Sequence, residues 1–113
     1  MGKPSREKGK RGEREVARIL RDHGYDSHRG VQYHGGPDSP DVVGLPGIHI
    51  EVKRVERLDL KAAYDQSKDD AAEGDIPIVV HRRSREPWMV TLSLEDFLEI
   101  MREADGFDEW AET

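Results

Sequence analysis

The chain has 113 residues, of which 35% are hydrophobic and 37% charged, enough for one packed core and too few for a second. It contains no cysteine, which excludes disulfides, thiolate catalysis and cysteine-based zinc sites. No apolar run approaches the ~20 residues of a membrane span and the N-terminus is too polar for a signal peptide, and the absence of cysteine permits a cytoplasmic setting without proving it. The net charge of −6 argues against a simple DNA-coating protein, but residues 1–14 hold six bases against two acids and residues 94–113 one base against eight acids, so the head suits a polyanion and the tail does not.

Residues 1–10, polar and basic with Gly2, Pro4 and Gly9, read as a mobile arm. Helical periodicity begins near Gly12 and Gly24 stops it. On that helix Glu13 extends by one turn the apolar stripe of Val16, Ala17 and Leu20, Glu15 and Asp22 point away, and Arg14, Arg18 and Arg21 share a flank. A weak strand is expected over 25–33, a loop over 34–40, and a short buried strand over 41–45. Residues 48–54 give the clearest strand, with Ile48, Ile50 and Val52 on one face and His49, Glu51 and Lys53 on the other. A helix over 60–72 ends at Gly74. Strands follow over 76–81 and 87–92, and Ser93 caps a last helix over 94–104 whose apolar face is Phe97, Leu98 and Met101. The order is α-β-β-β-α-β-β-α, an α/β sheet flanked by helices.

Chemistry concentrates in Pro40-Asp41 and, after nine intervening residues, Glu51-Val52-Lys53. Glu51 and Lys53 project from one strand face about 6.6–6.8 Å apart along the chain. A charged pair opposite an Ile-Ile-Val face must meet solvent, a ligand or partners. If the Asp41 strand lies alongside, two carboxylates converge into a hard oxygen site suited to Mg²⁺ or Mn²⁺, and such ions suit phosphodiester cleavage. Lys53 is then placed to orient a water or to neutralise developing charge. Asp38, in a second Pro-Asp dipeptide, is the rival to Asp41. Asp41 is preferred because Val42-Val43 follows it directly.

Pro40-Asp41 and Glu51-Val52-Lys53 resemble the signature of the PD-(D/E)XK nuclease superfamily, most closely that of small archaeal and phage Holliday junction resolvases. Gly12-Glu13-Arg14, the segment running to Tyr25, and Arg29 resemble the N-terminal part of those enzymes, so the similarity covers about residues 8–55. The resemblance implies a restriction-endonuclease-like mixed β-sheet and a Mg²⁺- or Mn²⁺-dependent, structure-selective endonuclease. Glu13, Asp41 and Glu51 would organise the metal and Lys53 would be the catalytic lysine. It further implies a homodimer acting on four-way DNA junctions in recombination or repair, in the cytoplasm, at the nucleoid or in a phage-infected host. All 113 residues would then form one nuclease domain, with a basic arm over 1–10 and an acidic tail over 105–113.

Lys8, Lys10, Arg11, Arg14 and Arg29 are the candidate phosphate contacts, which position a duplex without reading its sequence. His34, beside the glycine loop, and Gln66, on the helix after the signature strand, are candidates to face DNA near the scissile bond. His28, His34 and His49 lack the helical i, i+4 spacing of a zinc site, and His49 is expected at the groove edge. Trp88, Met89, Phe97, Met101, Phe107 and Trp110 are expected in the core or a dimer contact. Two other functions fit the same residues: a nuclease acting on flaps, ends or duplex, and a catalytically silent DNA-binding module. A restriction enzyme with a base-reading insertion has little room in a chain this short.

Overall fold

The computed structural model describes residues 2–30 and 39–104, with side chains of the first helix from residue 9 onward. The elements follow in the expected order: α1 (Gly2–Asp22), β1 (His28–Arg29), β2 (Val42–Val43), β3 (Ile48–Arg54), α2 (Leu60–Asp70), β4 (Ile76–Arg82), β5 (Met89–Thr91) and α3 (Leu94–Glu103). They build one mixed sheet in the order β1-β2-β3-β4-β5. Strands β3 and β4 pair in parallel and all other neighbours are antiparallel. A parallel pair needs a crossover rather than a tight turn, and α2 supplies it.

Each face of the central strands is covered by a helix. Val16 and Ala17 of α1 pack on Val42, Ile50, Val52, Ile78 and Val80 to form the core. On the opposite face Val79 is buried, as are Ala63 and Ser67 of α2. The Ser67 hydroxyl donates 2.9 Å to the Ile78 carbonyl, locking α2 to β4. Alternating residues of β3 therefore leave water on both sides, and His49 and Glu51 are buried. His49, expected at the groove edge, is buried instead, because the crossover helix lies over this face.

Helix α1 is longer than expected. Its backbone is helical from Gly2, where the sequence suggested an arm through residue 10. Pro4 falls in the first turn, where its missing N–H costs no intrahelical bond, and the Lys, Arg and Glu residues that follow are good helix formers. Two side chains of α1 reach partners beyond the helix. Arg21 donates from Nη1 to the Ser27 carbonyl at 2.9 Å. Glu15, expected to point away, accepts from Trp88 Nε1 at 2.9 Å and approaches Arg82 at 3.5 Å, while Arg82 stacks over the Trp88 ring at 5.5 Å.

Strands β1 and β2 are shorter than the segments expected over 25–33 and 41–45, whereas Ser93 caps α3 as its residue type suggests. Helix α3 has no buried residue, so the apolar face read from Phe97 and Leu98 is real but not covered by this chain's described residues. Phe107, Trp110 and the rest of 105–113, together with Tyr33, His34 and Asp38, lie outside the described residues.

Two glycines set close approaches near Asp41 and Glu13. Gly12 is buried where α1 crosses β3, and a Cβ there would meet Arg54 Cβ at 3.2 Å and the Trp88 ring at 3.6 Å. Gly30 donates its N–H to the Asp41 carbonyl at 2.8 Å, and a Cβ at residue 30 would collide with the Pro40 carbonyl oxygen. Because that obstacle is backbone, Gly30→Ala is expected to cost on the order of 2–3 kcal/mol, roughly a 10 °C fall in melting temperature by calorimetry.

Candidate active site

Asp41 stands immediately before β2, and its neighbour Val42 pairs with Ile50 of β3. Extending that antiparallel register by one residue sets Asp41 opposite Glu51, on the same side of the sheet. The register is clamped twice. The Asp41 N–H donates to the Ile50 carbonyl, and the Val52 N–H donates to Asp41 Oδ2, each at 2.9 Å. The second bond comes from the strand that carries Glu51, so one carboxylate is anchored to the backbone bearing the other.

Glu13 arrives from α1 and is held by Arg29 of β1, whose Nε donates to Glu13 Oε1 at 2.9 Å. Its side chain keeps only 20% exposure, as the helical stripe predicts. Lys53 extends from β3 toward α2, its Nζ 3.4 Å from Gln66 Oε1. Glu13, Asp41, Glu51, Lys53 and Gln66 line one cleft of about 450 Å³. The four acid and lysine positions read from the sequence, and Gln66 with them, are therefore brought together.

The phosphate-contact candidates divide. Arg11 and Arg14 are exposed on α1 and Lys10 is half-buried, close enough to Glu13 to act on it electrostatically. Arg29 has its Nε committed to Glu13. The Lys8 side chain and His34 lie outside what is described. His49 was missed as a site residue. It is 2% exposed rather than at a groove edge, and its Nε2 lies 3.0 Å from Glu51 Oε1. The spacing of two in His49, Glu51 and Lys53 was the available signal.

The electrostatics follow from burial. Loss of solvent pushes the Asp41 carboxyl up to about 6, reinforced by the neighbouring Glu51 charge and opposed by the Val52 N–H bond and Lys53. Burial likewise raises Glu51 and raises Glu13, against the lowering pull of Arg29. Burial lowers His49 below the usual histidine range. A neutral imidazole facing a carboxylate must carry its proton on Nε2, so His49 donates.

Two facing carboxylates raised in this way fit a divalent cation, which favours both ionised forms. Among the described residues no three His, Cys, Asp or Glu side chains enclose an ion. The protein would thus offer the Asp41–Glu51 pair and leave further positions to water and phosphate, the habit of Mg²⁺ rather than of an all-protein cage.

The comparisons with known proteins agree with this geometry. A family model described as "Phage putative PDDEXK endonuclease" matches residues 4–109. The chain belongs to this PDDEXK endonuclease family. Its α/β fold is similar to a solved structure of Hjc from Archaeoglobus fulgidus, a Holliday junction resolvase from an archaeal hyperthermophile. The likeness has 26% identity and a TM-score of 0.55 and covers 74% of this chain and 76% of that one. No curated protein matches. PDDEXK nucleases generally use divalent metal ions.

The raised Asp41 carboxyl gives a signed pH effect. The folded state binds this proton more tightly than the unfolded chain, whose Asp ionises near 3.8, so metal-free stability falls as pH rises from about 4 through about 6. Asp41→Asn removes that charge while keeping an acceptor for the Val52 N–H. In a chelator at pH 7 it is expected to melt several degrees above the wild type, about 1–2 kcal/mol more stable, with the gap closing by pH 4. A constant gap across that range would contradict the assignment.

Proposed function

We propose that this PDDEXK nuclease is a Mg²⁺- or Mn²⁺-dependent, structure-selective DNA endonuclease that resolves four-way junctions as a homodimer in recombination or repair, acting in the cytoplasm. The observation that carries the reading is the convergence of Glu13, Asp41, Glu51 and Lys53 on one cleft, in a chain similar to a solved Holliday junction resolvase. Among the described residues no helix is long and apolar enough to cross a membrane.

Asp41 and Glu51 would hold the ion, the first fixed by the Val52 N–H and the second by His49. When bound, a divalent ion supplies Lewis acidity toward the scissile phosphate and lowers the pKa of a water. Lys53, steadied by Gln66, places an ammonium at the cleft wall to orient the attacking water and offset charge growing on phosphate oxygen. Glu13, held at a fixed angle by Arg29, orders water on the α1 side. Lys8, Lys10, Arg11, Arg14, Arg29 and His34 are assigned to DNA contact, with affinity that falls steeply with salt.

The dimer is supported by α3. A ten-residue helix is marginal in water without packing, yet Leu94 is 69% exposed and Phe97 and Leu98 are 45% exposed. Beside it lies an apolar groove formed by Leu60, Tyr64 and Leu92, with Lys61, Asp65 and Lys68 at its rim and Lys61 paired to Asp65 at 2.7 Å. Helix α3 carries Glu95, Glu99 and Glu103 beside its apolar residues, so the α3 of a second copy would lay an apolar face in this groove and bring acids toward Lys68. Two-fold pairing would bring one site to each of two strands.

With Mg²⁺, labelled four-way junctions are expected to be cut in preference to flaps and linear duplex. A chelator should abolish cleavage, and Asp41→Asn, Glu51→Gln and Lys53→Ala should each lower it at least ~100-fold, about 2.7 kcal/mol of barrier. Equal cutting of all substrates would remove the junction assignment. Intact cleavage by Asp41→Asn would remove the site. Phe97→Glu is expected to shift the protein from dimer to monomer in sedimentation velocity, with its circular dichroism unchanged.

A further inference from the structure

His49 and Glu51 form a buried ionisable pair at the floor of the cleft, at 2% and 3% exposure. The two residues are neighbours on one face of β3 and meet at 3.0 Å, imidazole Nε2 to carboxylate Oε1. Polar groups this deep are costly unless paired, and β3 needs no polar residue at position 49 for its pairing. Its partner across the parallel ladder is Pro77, and an apolar side chain would pack there at lower cost. The single described side-chain partner of the imidazole is the carboxylate read above as a metal ligand.

We propose that His49 is a positioning residue for Glu51. The inference rests on the metal-endonuclease reading of the cleft and deepens it. The terminal torsion of a glutamate is soft and roughly two-fold. A donor fixed to the strand holds one oxygen and thereby sets the plane of the carboxylate toward Asp41. Carboxylates and imidazoles that bind metal are tuned in the same way by outer hydrogen bonds, whose loss typically costs 10–100-fold in affinity.

The test uses the full chain and reads Mn²⁺ binding by calorimetry, together with melting in chelator and cleavage kinetics. His49→Met and His49→Leu remove the donor and keep the bulk, whereas His49→Gln keeps an N–H. The expected result is a rise in Mn²⁺ Kd of roughly 10–100-fold for Met and Leu, and a change of only a few-fold for Gln. Cleavage by Met and Leu should recover at high Mn²⁺, which separates lost ion affinity from lost chemistry. Wild-type affinity in His49→Met, or an equal loss in His49→Gln, overturns the proposal. The wild type offers a measurement independent of variant folding: ¹⁵N spectra of its histidines should show His49 as the Nε2–H tautomer, with shifts that move on adding Mg²⁺. An Nδ1–H tautomer overturns the proposal as well. If the wild type takes up no Mn²⁺, the metal-endonuclease reading itself fails, an outcome distinct from equal binding by wild type and variant.

Discussion

Two carboxylates facing each other across an antiparallel register is the arrangement around which the rest of this molecule is organised. Left alone, Asp41 and Glu51 repel, and burial worsens the repulsion because neither is well solvated. The fold holds them anyway. The Asp41 N–H and carboxylate both bond to β3, Gly30 leaves room for its carbonyl, and β3 is pinned between β2 and β4. The strain is local and the scaffold is not: the same strands carry Val42, Ile50, Val52, Ile78 and Val80, which form the core with α1. Stability and chemistry thus share β3, one face supplying burial and the other the polar row His49, Glu51 and Lys53.

Three of the cleft's charged groups are each restrained by a neighbour. Glu51 takes its donor from within β3, Lys53 leans on Gln66 of α2, and Glu13 is tethered by Arg29 of β1. Sites on regular elements with locked neighbours hold their geometry better than sites on loops. The restraint is asymmetric. The two facing acids are gripped by backbone and buried partners, while the lysine sits at the exposed wall, where a phosphate would approach.

Much of this architecture was readable from residue order alone. The alternation over 48–54 gave β3 to the residue, the Ser93 cap marked the start of α3, and the stripe through Val16, Ala17 and Leu20 placed Glu13 inward. Where reading failed, a partner distant in sequence was responsible. His49 read as a groove-edge residue because period-two alternation marks a second face without saying what covers it; α2, arriving later in the chain, buries it. Glu15 read as solvent-facing because its partners, Trp88 and Arg82, come from the far end of the sheet. The tether between Arg29 and Glu13 was equally hidden, since nothing local reveals that the two lie 2.9 Å apart. The helical start at Gly2 was hidden by Pro4 and Gly9, whose usual meaning as breakers lapses for a proline in a first turn.

The missing side chain at Gly12 extends this logic to evolution. Helix α1 rests there on the stem of Arg54 and the edge of Trp88, one residue before Glu13. An added methyl there would press on Arg54 at 3.2 Å, so α1 or the arginine stem would have to give by a few tenths of an ångström, a shift passed directly to the acid beside it. A lineage could therefore detune the cleft while every acidic and basic group survives in its sequence, and a motif count would still score such a descendant as intact.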